Sequence, residues 1–251
     1  MKTKIYFLLI LLFCIQQINA QTFINKAVVE YEVKVNVQKT MGNNSWAEML
    51  KENMPQFKTG YFRYTFADNK SVYKFDHWDD KKVPEWLRRN DEENVWYFDH
   101  GANKFNMVKS VYGSSFNIED TIPAIEWRLT NENRIIAGFN CRKAVGKIMD
   151  SVYVFAFYTE EITISGGPCS INGLPGMILG LTIPRMYASW IATKVIVNDV
   201  NTSIIKPVSA KKYYTTTTLK NVLKDRTKEW INEDDPDSKK WIEQLYWNTL
   251  L

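Results

Sequence analysis

The chain has 251 residues, of which 45% are hydrophobic and 14% aromatic, and its formal net charge is +4. The 32 basic and 28 acidic residues are nearly balanced, and no basic block stands apart, so a nucleic acid partner is not expected. A chain of this length can bury a substantial core as one domain. The high aromatic content favours a β-sheet, because large rings suit half-buried pleated surfaces.

The N-terminus has the pattern of an export signal. Two lysines precede an apolar run over residues 5–15, and Ala20 stands before the expected cleavage point. The run is too short for a membrane-spanning helix, so a membrane anchor is the less favoured alternative. Cys14 lies inside the apolar run after a large residue, which disfavours a lipoprotein. We expect a signal peptide over residues 1–20 and a periplasmic or secreted mature chain, residues 21–251, without a transmembrane segment.

Export changes the interpretation of the cysteines. Cys141 and Cys169 remain after cleavage, and in an oxidising compartment an even pair is expected to form a disulfide. The alternative is a reactive or metal-binding pair, but no histidine lies near either residue in the sequence. The compartment therefore favours the disulfide.

Alternation of apolar and polar residues predicts most of the chain to be strands. It is clearest over residues 28–38, where valines and a tyrosine face one way and polar side chains the other. The cluster Thr130–Asn133 has turn composition and is expected to separate two short strands. About ten strands are predicted, at residues 28–38, 62–66, 71–76, 95–98, 104–108, 127–129, 134–136, 141–148, 152–159, 177–183 and 188–197.

Helical periodicity dominates only near the C-terminus. Residues 46–57 suit a short amphipathic helix or lid, and residues 83–87 suit one or two helical turns. A longer helical pattern begins at Leu219, and Asp235-Pro236 is a plausible start for a last helix. The order of elements predicts an α+β, mostly β fold: a single antiparallel, curved sheet with C-terminal helices packed on or near it. No linker or repeat divides the chain, so one domain is expected.

Four glycines and two prolines crowd residues 166–176, directly before an apolar strand. Leu-Pro-Gly suits a type II turn, because proline presets φ at its second position and glycine accepts positive φ at the third. This stretch has two interpretations. Its tip, Gly173, Leu174, Pro175 and Gly176, is either a recognition loop or a reversal that the backbone needs before a buried strand.

Several short motifs occur in a fixed order between residues 120 and 181. They are Trp127, the run Gly138–Ala144, the run Phe157–Ile162, then Ser165–Pro168 and Gly173–Ile178. Together they resemble the GLPGLI family of exported proteins from Bacteroidetes, with Met177 in place of the usual leucine. The resemblance implies export, a β-rich domain and no agreed activity, and it supplies no catalytic residues. Cys169 lies outside the family pattern, so the resemblance does not support the disulfide.

Candidate catalytic groups are few. His77 lies between acidic residues in Asp76-His77-Trp78-Asp79-Asp80, which is more typical of a solvated turn than of a metal site. His100 lies in a hairpin loop, and no Gly-x-Ser-x-Gly motif marks a nucleophile. Glu160 and Glu161 point to opposite faces if they continue a strand, so they do not form an acid–base pair. The sequence predicts no metal, no cofactor and no catalytic residues.

Three functional hypotheses follow. The first is a non-enzymatic binding or accessory protein of the envelope, whose aromatic sheet carries a hydrophobic groove for a lipid, an acyl chain or another hydrophobic small molecule. The plainer interpretation of the same aromatic residues is a filled core. The second hypothesis is a module that binds an envelope protein of an outer-membrane transport system through the loop 166–176. The third is a hydrolase that uses His77 or His100.

Overall fold

The computed structural model describes residues 23–41, 45–79, 83–111, 113–149, 151–230 and 236–251. The predicted signal peptide, Asp80 and Asp235 lie outside the described residues. Within these ranges the strands are β1 (Ala27–Asn36), β2 (Phe57–Ala67), β3 (Lys70–Trp78), β4 (Val95–Asp99), β5 (Lys104–Val111), β6 (Ser114–Thr121), β7 (Trp127–Ile136), β8 (Phe139–Ile148), β9 (Val152–Thr159), β10 (Met177–Ile183) and β11 (Ala188–Ile196). The helices are α1 (Val37–Thr40), α2 (Ser45–Lys51), α3 (Glu85–Glu93), α4 (Thr216–Thr227) and α5 (Pro236–Leu250).

All eleven strands in the described part of the chain form one antiparallel sheet, in the order β6-β5-β4-β3-β2-β1-β11-β10-β9-β8-β7. Two meanders, β1–β6 and β7–β11, meet where β1 pairs with β11. The sheet curls strongly: a Cβ on Gly180 of β10 would lie 2.8 Å from Cδ1 of Ile136, three strands away on β7. This architecture confirms the predicted α+β, mostly β class.

The inner face of the first meander is aromatic. Tyr31, Phe62, Tyr64, Tyr73 and Trp96 come from four successive strands and are almost fully buried. Their rings meet in stacked, tilted and edge-on pairs with centroids 5.2–6.4 Å apart. Period-two alternation therefore places the large rings on one concave face, which is the face that carries the site described below.

The strand predictions differ from the structure at two places, residues 130–133 and strand β6. Residues 130–133 are not a turn: they continue the edge strand β7, whose pairing with β8 shifts register between Leu129 and Asn133. Their polar side chains suit an edge strand that is largely exposed. Strand β6 was not among the predicted strands, because only Phe116 and Ile118 are buried apolar residues in its eight positions.

The C-terminal helices pack as their periodicity predicts. Helix α4 begins at the capping box formed by Thr215 and Thr218, and it buries Leu219 and Leu223. A 2.7 Å hydrogen bond between the hydroxyls of Thr227 and Tyr246 joins α4 to α5.

Helix α2 ends at Lys51, short of the predicted residue 57, and α3 runs for nine residues where one or two turns were expected.

Candidate functional site

The loop 166–176 lies over the concave face of the sheet. Leu174 at its tip is only 2% exposed, whereas Gly173 and Pro175 on either side face solvent. Gly176 has φ +143°, and a Cβ there would lie 2.0 Å from the carbonyl oxygen of Thr159. No other residue fits that position without moving the backbone. The loop thus has a structural role, and a recognition role at its exposed tip stays a prediction.

Both cysteines in the described residues are free thiols, in contrast to the predicted disulfide. Cys141 on β8 is buried against its own strand, where its thiol lies 3.5 Å from the carbonyl oxygen of Phe139. Cys169 lies in the Gly/Pro loop and faces the first meander beside Lys109. Burial raises the pKa of each thiol to about 12, so neither forms a thiolate at neutral pH.

His77 lies on the outer face of β3. Its side chain is 60% exposed, its Nδ1 lies 2.8 Å from a carboxylate oxygen of Asp76, and its ring stacks on Tyr61 with centroids 4.5 Å apart. The described residues contain no group of three or more histidine, cysteine, aspartate or glutamate side chains placed to hold a metal ion. His77 therefore belongs to a solvated polar surface in this structure.

His100 is packed between strands. Its Nε2 lies 3.4 Å from the hydroxyl oxygens of both Tyr64 and Ser71, and its ring stacks on Phe98. Ser71 is fully buried, so its hydroxyl is not open to a substrate. Burial lowers the pKa of His100 to about 4, against a small opposite effect of Asp99. The ring is neutral at pH 7 and serves as a half-buried hydrogen-bonding group.

This low pKa has a consequence for stability. The ordinary pKa of histidine is 6.5, so the unfolded chain takes up a proton first as the pH falls below that value. Wild-type stability should drop by roughly 2 kcal/mol between pH 6.5 and pH 4.5 from this residue alone. The variant His100→Asn cannot titrate and should lose correspondingly less. Urea unfolding of both proteins at the two pH values measures the difference, and an identical pH dependence would contradict the buried neutral state.

A large cavity opens between the concave sheet and two helices. It is partly open to solvent, and its volume of about 1680 Å³ is larger than the roughly 300–1,000 Å³ of common small-molecule sites. Strands β1 to β5 and β11 form its floor, and α3 and α5 form its sides. Six tryptophans of the described residues line it: Trp78, Trp86, Trp96, Trp190, Trp241 and Trp247. The aromatic residues of the sheet thus line a cavity as well as filling a core.

Lys109 is the unusual side chain of this cavity. It lies on β5 at the floor, is 5% exposed, and its ammonium is 4.6 Å from the centroid of the Trp96 ring. No carboxylate of the described residues lies within ion-pair distance of it. Burial lowers the pKa of Lys109 to about 8, while Cys169 and Asp91 act in the opposite direction. A buried cation without an ionic partner is energetically unfavourable, so its position calls for an explanation.

The nearby acid is already used. Asp91 of α3 forms a short ion pair with Lys58 of β2, and Lys58 also donates to the carbonyl oxygen of Leu87 at 3.3 Å. These contacts fasten α3 to the sheet. Lys58 and Lys109 therefore differ sharply, although both line the cavity: Lys58 is neutralised by Asp91, whereas Lys109 has no ionic partner in the described ranges.

Two further donors of the cavity lack acceptors within the described residues. The hydroxyl of Tyr73 is buried beside the Trp190 indole without a hydrogen bond of standard geometry, and the side-chain amide nitrogen of Gln244 is also unsatisfied. Together with Lys109 they place three hydrogen-bond donors at the cavity. Such unsatisfied buried donors are uncommon, and a ligand that accepts hydrogen bonds would satisfy them.

The charged residues that line the cavity are mostly basic. Among the described residues, six basic ones line the cavity against three acidic ones. Several of the cations lie over aromatic rings: Lys39 over Tyr187, Lys58 over Trp78, and Arg185 over Trp247 at 4.9 Å. The cavity is thus apolar over much of its wall and electropositive overall.

Sequence reasoning missed Lys109, although a signal was present. Phe105, Met107, Lys109 and Val111 alternate along β5, so the lysine stands where the period predicts a fourth apolar residue. A charged residue at an apolar position of a strand indicates either a strand end or a buried functional group.

No helix of the described residues is long and apolar enough to cross a membrane.

Residues 146–180 match the model of a family described as "Protein of unknown function (Porph_ging)". The match lies inside the stretch that resembles the GLPGLI family, and it supports a relationship to a family of unknown function over those residues; the GLPGLI name itself stays a prediction. No curated protein matches the chain.

Solved structures of similar fold have very different sequences. PNGF-II in space group P21 has a TM-score of 0.50 and 13% identity, over 79% of this chain and 33% of that one. Its C2 form gives 0.49 and 13%, over 78% and 32%. An uncharacterized conserved protein from Thermus thermophilus gives 0.37 and 9%, over 75% and 90%. The chain spans about a third of the PNGF-II chains, and at this identity the likeness to the P21 form establishes the fold alone.

Proposed function

We propose that this chain is a binding protein whose cavity holds an amphipathic anion: one or more acyl chains with a carboxylate or phosphate head group. The apolar part would lie along the tryptophans of the cavity, and the head group would pair with Lys109. We further propose that the chain acts outside the cytoplasm, as the pattern of residues 1–20 predicts, and that its ligand is a component of the envelope.

The observation that carries this proposal is the position of Lys109. A lysine that is 5% exposed and has no carboxylate partner among the described residues destabilises the fold unless something else compensates its charge. An anion that reaches the floor of the cavity would be that partner. Charge-assisted hydrogen bonds are roughly twice as strong as neutral ones, and burial strengthens them further.

The rest of the lining supports both halves of such a ligand. The six tryptophans give the lining a large apolar surface, which favours a long hydrophobic body. The excess of basic side chains and the unsatisfied donors of Tyr73 and Gln244 favour a negatively charged acceptor. The volume of about 1680 Å³ leaves room for a ligand larger than a single drug-sized molecule.

Quenching of tryptophan fluorescence tests this proposal. 9,10-Dibromostearate carries bromine atoms that quench nearby indoles, and it should quench the wild-type protein at low micromolar concentration. Its methyl ester keeps the chain and loses the charge. Because a hydrogen bond to a charged group contributes about 1.5–3 kcal/mol, we expect the ester to bind roughly 10–100-fold more weakly.

The matched control is Lys58, which lines the same cavity but is already paired with Asp91. The variant Lys109→Met should bind the acid and its ester with similar affinity, whereas Lys58→Arg should keep the wild-type preference for the acid. Equal affinity of the wild type for acid and ester, or no quenching by either, would overturn the proposed function.

A further inference from the structure

Lys109 combines two properties that seldom occur together. Its amine nitrogen is desolvated by the protein, yet it lines a cavity with room for another molecule. Lysines in apolar pockets act as nucleophiles because burial favours the neutral amine, which carries the reactive lone pair. The proposed function uses the charged form of Lys109, and the neutral form offers a separate chemistry.

The groups around Lys109 leave this neutral form accessible. On the loop, the Cys169 thiol keeps its proton, since burial raises its pKa to about 12. On β3, burial likewise raises the pKa of the Tyr73 phenol. Asp91 of α3 is neutralised by Lys58 of β2. Helix α5 contributes one base and one acid to the same cavity, Lys240 and Glu243, which carry opposite charges.

The pKa of Lys109 determines what fraction of its side chains is neutral. With a pKa of about 8, about a quarter of the Lys109 side chains are neutral at pH 7.5. A solvent-exposed lysine with the ordinary pKa of 10.5 is neutral in about one molecule in a thousand. The amine of Lys109 is therefore available about two hundred times more often than that of a surface lysine.

We propose that Lys109 is a carbonyl-reactive amine that forms an imine with an aldehyde carried on an apolar chain. In this step the amine lone pair attacks the carbonyl carbon and gives a carbinolamine. Loss of the former carbonyl oxygen as water then leaves a carbon–nitrogen double bond, so one aldehyde is consumed and one water is released. The apolar walls would hold the chain of the aldehyde against the amine, and the burial of Lys109 would limit the access of water to the imine.

Reductive trapping tests the proposal. The full-length protein would be incubated with a low concentration of decanal and sodium cyanoborohydride at pH 7.5, and then analysed by intact and peptide mass spectrometry. We expect one decyl group on Lys109, beside any on the α-amino group, whose pKa is similarly low, at a rate about a hundredfold above that of the average surface lysine. Lowering the pH to 6 should slow this labelling by about tenfold or more, because the neutral fraction falls.

Two variants and a parallel measurement separate the outcomes. Lys109→Arg keeps the charge without the nucleophile and should abolish the preferred label, whereas Lys58→Arg should leave it in place. Labelling spread evenly over surface lysines, or concentrated on Lys58, would overturn the inference. Dibromostearate quenching measured on the same sample keeps the two proposals distinct: normal quenching with an unlabelled Lys109 overturns the imine alone.

Discussion

Replacing Lys109 with methionine is expected to raise the free energy of unfolding at pH 7 by about 1–3 kcal/mol, although the substitution removes a buried side chain's contact with Trp96. The reason is that the wild type buries a cation that has no ionic partner within the part of the chain that the structure describes. Methionine has a similar length and no charge, so it fills the same space without that penalty. Functional residues commonly reduce stability in this way, and structural ones do not.

The pH dependence of this difference provides its control. The folded pKa of Lys109 is about 8 and the ordinary value is 10.5, so between these values the unfolded chain binds more protons than the folded one. Wild-type stability therefore rises with pH across this window relative to Lys109→Met, and the gap should shrink from pH 8 to pH 10.5. Urea unfolding at pH 7 and pH 10 measures both quantities. A variant less stable than the wild type at pH 7 would indicate that Lys109 is a structural partner.

Leu174→Ala is expected to lower the free energy of unfolding by about 2–5 kcal/mol, the usual range for a leucine truncated in a packed core. Leu174 is 2% exposed, and the loop around it is held tightly. The indole nitrogen of Trp127 donates to the carbonyl oxygen of Asn172 at 2.9 Å, and the nitrogen of Ile178 donates to the carbonyl oxygen of Gly166 at 2.9 Å. A cavity at Leu174 cannot collapse easily between such fixed points.

Pro175→Ala is the matched control, because Pro175 is the next residue and faces solvent. We expect it to change stability by less than about 1 kcal/mol. Chemical denaturation of the two variants at pH 7 makes the comparison. If Leu174→Ala is as stable as the wild type, Leu174 does not contribute to the packed core, and the hypothesis that the loop binds an envelope protein gains support.

The sheet could be predicted from the sequence because period-two patterns are local. Strand β9 was predicted with the bounds that the structure gives, and so was β10, each from a run of apolar residues between turn signals. The edge strand β7 was misjudged, since its polar centre, Thr130–Asn133, has the composition of a turn. Composition alone does not tell an exposed edge strand from a loop, because the partner strand decides it.

Only part of the candidate site could be predicted from the sequence. Aromatic alternation indicated either a groove or a filled core, and no local pattern separates these two outcomes. The cavity lies between the sheet and the helices α3 and α5, and the position of α3 depends on contacts between residues far apart in the sequence, such as that of Lys58 with Asp91. The disulfide was predicted from the compartment alone, whereas the fold places the two thiols in separate environments.

The affinity for 9,10-dibromostearate as a function of pH tests the account most directly. In the ligand-free protein the pKa of Lys109 is about 8. Above this pH most Lys109 side chains are neutral, so the amine must gain a proton before it can pair with the carboxylate. Affinity should therefore fall by about tenfold between pH 7 and pH 9 in the wild type. Lys109→Met should bind weakly and show no such fall, which also corrects for ionisation of the ligand itself. Tight binding that does not change with pH, or that survives in Lys109→Met, would contradict the role of Lys109 as the anion contact.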